Sequence, residues 1–175
     1  MKKVIIVATI IIVLLCITKN PTITIPENAI RFRVIANSNK PEDQNIKEQI
    51  VYNISQNIRS IQESPNNLQE ARKIINSNIP TLEKIVEKTL KEQNKSENYT
   101  IEYGNNYFPE KEYKGVKYKS GNYESLIIKL GDGLGDNFWC VLFPPLCLLE
   151  VEETTSSEIE YTSYIKEIIT KYFNK

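Results

Sequence analysis

Apolar residues alternate with charged ones from Ile30 to Ala36: Ile30, Phe32, Val34 and Ala36 fall on one side of an extended chain, Arg31, Arg33 and Ile35 on the other. That period of two predicts a half-buried strand. Asn37-Ser38-Asn39 then supplies turn and capping residues. Asn39 with Glu42 predicts a capping pair, and Pro41, Glu42 and Asp43 suit a first helical turn, where a fixed φ and negative charge are favoured. The period changes next. Ile46, Ile50, Ile54, Ile58 and Ile61 recur at spacings of four and three, which puts them on one helical face and leaves Lys47, Glu48, Gln49, Gln56 and Arg59 to water.

Ser64-Pro65 restarts the helical spacing with Leu68, Ala71, Ile75 and Ile79, and Asn76-Ser77-Asn78 with Pro80 interrupts it. Because the residue before proline avoids αR, the pattern predicts one helix ending near Ser77 and another over 81–93. A single kinked helix is the alternative. Beyond a polar loop the period returns to two at Tyr99, Ile101 and Tyr103, and Gly104-Asn105-Asn106 reads as a turn. Tyr113 to Tyr118 predicts a hairpin tip or a short edge strand. Tyr123 to Leu130 carries Leu126, Ile128 and Leu130 on one face and Ile127 on the other, as a central strand does. Ile159 to Phe173 has near-helical spacing. The order of elements predicts an α+β fold, a mainly antiparallel sheet of about four strands with helices packed on one face. Residues 30–175 form one domain in this reading, and 21–29, with Pro21 and Pro26, an extended linker.

The run from Phe138 to Cys147 fits neither period. It holds the only Trp, two of the three Cys and the pair Pro144-Pro145, which excludes both a helix interior and a central strand at that point. Cys140 and Cys147 can close a small loop that displays Trp139, Leu142 and Phe143. The compartment decides whether it is oxidised. Lys2-Lys3 precede an apolar stretch from Val4 to Ile17, the anatomy of an export signal and short of the roughly 20 residues of a membrane span. Residues 1–20 are therefore expected to be an export signal or an uncleaved anchor, with the remainder outside the cytoplasm. There a disulfide is favoured, and closing so small a loop stabilises by roughly 2 to 3 kcal/mol on the chain-entropy account. The alternatives are a zinc site, poor with no His in the chain, and a nucleophilic Cys, which lacks the usual base.

Charge narrows the partners. Basic and acidic residues balance at 22 each, and with Lys2, Lys3 and Lys19 in the leader the body is mildly acidic. Nucleic acid is not expected as a partner, because its affinity comes from neutralised phosphates. Gly131-Asp132-Gly133-Leu134-Gly135 follows a strand but precedes no helix, so it reads as a turn and not a phosphate cradle. Asp132 and Asp136 lack the spaced oxygen ligands of a calcium loop. No cofactor is expected.

The segments Ile30 to Ser38, Glu42 to Lys47 and Phe138 to Cys147 together resemble the stage II sporulation protein R family of endospore-forming bacteria. Phe108-Pro109, Tyr113 to Val116 and Gly121 to Leu126 agree and fall in the family's order, so the resemblance covers about residues 30 to 150. It departs at Arg33, where relatives commonly have His, at Asn39, where they commonly have Asp, and at Lys119-Ser120. Roles that need that imidazole or carboxylate do not transfer. The resemblance implies signalling: a protein exported from the forespore into the space between the two sporulation membranes, which triggers a membrane-bound aspartic protease. That protease then matures the early mother-cell sigma factor from its precursor. The resemblance implies no catalytic residues.

Candidate partner-binding residues are thus Trp139, Leu142, Phe143, Pro144 and Pro145 on the closed loop, and Asn37, Ser38, Asp43 and Lys47 at the strand-to-helix corner. Each has a plainer reading. Trp139 and Phe143 can plug the core with the disulfide as a staple, and Asn37-Ser38 can be a helix cap. Two other functions stay open at this point: an envelope enzyme using Asp43 or Glu124 as acid or base, and a module whose tyrosines grip peptidoglycan.

Overall fold

The computed structural model describes residues 23–63, 65–96, 98–113, 116–147 and 158–173. The leader lies outside them. The alternation at Ile30 forms strand β2 (Ile30–Ile35), preceded by a short β1 (Ile23–Thr24). Helices α1 (Pro41–Glu63) and α2 (Leu68–Glu92) follow, then β3 (Tyr99–Phe108), β4 (Lys111–Tyr113), β5 (Val116–Tyr118), β6 (Gly121–Leu130), β7 (Asn137–Phe143) and α3 (Glu158–Phe173). The main sheet has the order β3-β6-β2-β7, and β1-β5-β4 form a smaller one. In the main sheet β3 and β7 run antiparallel to their neighbours, while β2 and β6 are parallel. The architecture is α+β and mainly antiparallel, as the pattern predicts, and β6 is central.

Strand alternation sends Phe32, Val34, Leu126, Ile128, Leu130, Cys140 and Leu142 to one face, where Ile46, Ile50 and Ile54 of α1 and Ala71, Ile75, Leu82, Val86 and Leu90 of α2 cover them. The two helices are also joined by hydrogen bonds from Asn53 Nδ2 to Thr89 Oγ1 and from Gln93 Nε2 to Gln49 Oε1. Ile58 and Ile61 lie outside the described side chains.

Four expectations change. The break at Pro80 is absent: α2 is one helix with an exposed proline inside it. Its buried stripe runs through the proline from Ala71 to Leu90, so packing outweighs the local penalty. Side chains of Asn76, Ser77 and Asn78 also donate to carbonyls of the preceding turn. Gly104-Asn105-Asn106 is not a turn, since β3 pairs with β6 without interruption from Tyr99 to Phe108. Residues 21–29 were expected as a linker, yet Ile23 and Thr24 pair with Val116 and Lys117, and Ile25 and Ala29 are buried. They join Val116, Tyr118, Val141, Leu146, Ile165 and Ile168 in a second core under α3, because an edge partner and an apolar shelf are both present. Lastly, β2 is covered on both faces, and Arg31 is buried. Among the described residues no helix is long and apolar enough to cross a membrane.

Candidate functional site

The Phe138 to Cys147 string is mostly a strand. Cys140 and Cys147 form a disulfide across Cα atoms 5.1 Å apart, which folds the turn after β7 back onto the strand. Leu146 N–H donates to the Val141 carbonyl within that turn. A bulge opposite Ile30 and Arg31 places Phe143 with Cys140 and Leu142 on the helix side. Leu142 and Phe143 are therefore buried and not displayed, with Phe143 ringed edge-on by Tyr172 and Phe173. Pro144 is buried and Pro145 half-buried. Period-two geometry explains the split: Trp139 alone of the three expected anchors points to the other face, half-buried against Phe108 at 5.2 Å between ring centres.

At the end of β2, Asn37, Ser38 and Asp43 are brought together. Asn37 Nδ2 and Ser38 Oγ both donate to Asp43 Oδ2, at 3.1 and 2.6 Å. The rest of the corner grips the glycine turn before β7. Asn37 Oδ1 accepts from Asp132 N–H, the Asn37 carbonyl from Leu134 N–H, the Ala36 carbonyl from Gly135 N–H and Asn39 Oδ1 from Asp136 N–H. Asn39 thus caps the turn and not α1, so the expected pairing with Glu42 gives way to a contact distant in sequence. Gly135 lies so close that a Cβ there would meet the Ser38 carbonyl oxygen at 2.4 Å. Lys47, expected in water, is buried, its ammonium donating to Gln44 Oε1 and the Asp136 carbonyl. The hydrogen bond from Ser38, then that from Asn37 and the charges of Lys95 and Lys40, hold the Asp43 carboxyl below its ordinary range against the opposing effect of burial.

The opposite face of the sheet is unlike this corner. Arg31 and Arg33 project from β2 among aromatic rings: Arg31 Cζ lies 3.3 Å from the centre of Tyr123 and 5.3 Å from Phe108, and Arg33 Cζ lies 5.1 Å from Phe108 and 5.4 Å from Trp139. Lys111 Nζ sits 5.5 Å from the Trp139 ring centre. Arg31 Nη2 donates to the Lys119 carbonyl, yet Arg31 Nε and Nη1, Arg33 Nε and the acceptor Asn137 Oδ1 are buried without partners among the described residues. Burial lowers the pKa of both guanidinium groups. The pattern in sequence that marks this face is the pair Arg31 and Arg33 at i and i+2 in an apolar strand. The rings of Phe108, Tyr123 and Trp139 come from β3, β6 and β7, so no local spacing announces them.

Glu124 is held by Arg72 through both carboxylate oxygens and accepts from Tyr103 Oη. Arg72 above all, with Tyr103, keeps its carboxyl below the usual range, while burial first and Glu124 second raise the Tyr103 phenol. Glu124 and Asp43, the two candidate acid–base groups, are thus carboxylates already engaged in fixed hydrogen bonds. Among the described residues no group of three His, Cys, Asp or Glu side chains is placed to hold a metal.

Residues 26–153 match the family model described as stage II sporulation protein R. A curated relative of that name from Bacillus subtilis (strain 168) is 35% identical over 133 residues, which cover 76% of this chain and 59% of the relative. The chain therefore spans about three fifths of that relative's length. No solved structure gives a match. The matched span leaves out β1 and runs from Pro26 past the Cys140–Cys147 bridge, and so takes in the whole main sheet and both polar clusters: the chain belongs to the stage II sporulation protein R family.

Proposed function

We propose that this protein is an extracytoplasmic signal of sporulation. It leaves the forespore, enters the space between forespore and mother-cell membranes, and docks on a membrane-bound aspartic protease, which then processes the precursor of the early mother-cell sigma factor. If the leader is retained, its N-terminal segment also contacts the membrane. Family membership supports the process, and the Cys140–Cys147 bridge carries the reading of place, because such crosslinks persist in oxidising compartments outside the cytoplasm. A binding role is supported by the engagement of Asp43 and Glu124: neither carboxyl is raised toward neutral pH, as a general acid requires. A ligand needs only a stiff surface, and β7 is pinned at its end by the crosslink.

Reconstitution tests this. Protease and sigma precursor in vesicles are expected to give cleavage only when this protein is added to the outer side. Cleavage at the same rate without it overturns the proposal. Serine at both Cys140 and Cys147 is expected to reduce the cleavage.

A further inference from the structure

Buried charges in proteins are ordinarily paired, and buried donors ordinarily find acceptors. The far face of the sheet breaks both rules at one place. Arg31, Arg33 and Lys111 converge on Phe108 and Trp139, three cations within 5.5 Å of ring centres. In register on that face of the main sheet, the carboxylate is Glu102, exposed and separated from Arg33 by Ile127, two strands and about 10 Å away, while Glu110, next to Lys111 in the chain, pairs with Lys117. Aromatic faces attract cations but supply no lone pair for Arg33 Nε. Two residues before Trp139 on the same face, Asn137 Oδ1 is a buried acceptor without a donor among the described residues. The combination is selective. A bare oxyanion satisfies arginine and leaves Asn137 empty, whereas a peptide carries both a carboxylate and N–H groups.

We propose that this face, at Arg33 and Trp139, is a docking site for an acidic peptide segment of a protein partner. An Asp or Glu carboxylate is received by Arg33 with Lys111 against the Trp139 ring, and a donor of the same segment meets Asn137. Arg31, fully enclosed, fixes the rings and adds positive potential from beneath. The site does not depend on which protein supplies the segment, so it stands or falls apart from the signalling role.

Trp139 is the only tryptophan, which makes its emission a direct reporter. Titrating the full oxidised chain with an acetylated tetraglutamate peptide is expected to change that emission saturably. Acetylated tetraglutamine and inorganic phosphate at equal concentration are expected to leave it unchanged. Arg33→Gln is expected to weaken binding about tenfold, and Lys111→Gln, at an exposed position, about threefold. No saturable change with tetraglutamate, an equal response to tetraglutamine, or an equal response to phosphate overturns the site. So does unaltered affinity in Arg33→Gln whose near-ultraviolet dichroism matches the parent. Should Arg33→Gln fail to fold, Lys111→Gln decides: affinity equal to that of the parent overturns the proposal.

Discussion

At the end of β2, Asn37, Ser38 and Asp43 close a set of hydrogen bonds onto the glycine turn, whereas a few residues earlier Arg31 and Arg33 keep buried N–H groups without acceptors among the described residues. One cluster lies on β2 and the other follows its end, and both are polar and at least partly enclosed. The first is complete within the chain. The second has its cations packed on rings, with no carboxylate on them among the described residues. Satisfied polar networks rigidify a fold, while unsatisfied ones mark strain or an absent ligand. The corner therefore reads as architecture that sets the register of β7, and the arginine face as surface kept for another molecule.

The largest expected effect breaks the corner by sterics. Gly135→Ala sets a Cβ against the Ser38 carbonyl and Ala36 Cβ, both rigid, and is expected to cost about 3 kcal/mol in urea unfolding. A cost below about 1 kcal/mol means the turn can slide, and the contrast with the arginine face weakens.

Asp43→Ala comes next. It strands Ser38 Oγ and Asn37 Nδ2 and is expected to cost about 2 kcal/mol at neutral pH. Since the folded carboxyl ionises below its ordinary value, its contribution is complete above that value, about 3.9, and disappears as pH falls through the lower folded one. Asp43→Asn is accordingly expected to flatten the loss of stability below about pH 4, measured by thermal melts across that range. A parent and variant with parallel acid profiles place the acid sensitivity elsewhere.

Removing a buried cation on the other face is expected to matter less. Arg31→Met keeps length, loses the cation–π contacts and also relieves two unsatisfied donors, for a net change within about 1 kcal/mol. A loss above about 3 kcal/mol makes Arg31 as structural as Asp43 and erases the difference between the clusters. Smallest is Arg33→Gln, expected within about 0.5 kcal/mol of the parent in the same unfolding experiment.

Helix α1, strands β2 and β6 and the terminal helix α3 were legible because each carries its own hydrophobic period. The cysteine pairing was legible too, from spacing and an export-type leader. The Pro80 break was misread since the local signal of proline is strong, and the stripe from Ala71 to Leu90 that overrides it acts only against α1 and the sheet. The display of Leu142 and Phe143 was misread for a related reason: proline after the string hid the strand within it, and a strand must divide its side chains between two faces. Asn39 was paired with Glu42 of the nearer helix, whereas its Oδ1 accepts from Gln44 Nε2 of that helix and from Asp136 N–H, 97 residues away.

What the sequence by itself determined is every property with a short period or a fixed chemistry: the α+β class, the central strand, the crosslinking cysteines and the mildly acidic body. Tertiary structure alone decided that a supposed linker completes a second core, that Lys47 is buried, and that Arg31 and Arg33 meet Phe108, Tyr123 and Trp139. The physical reason is range. Periodicity reports which way a side chain points, while its energy depends on what three other strands place there.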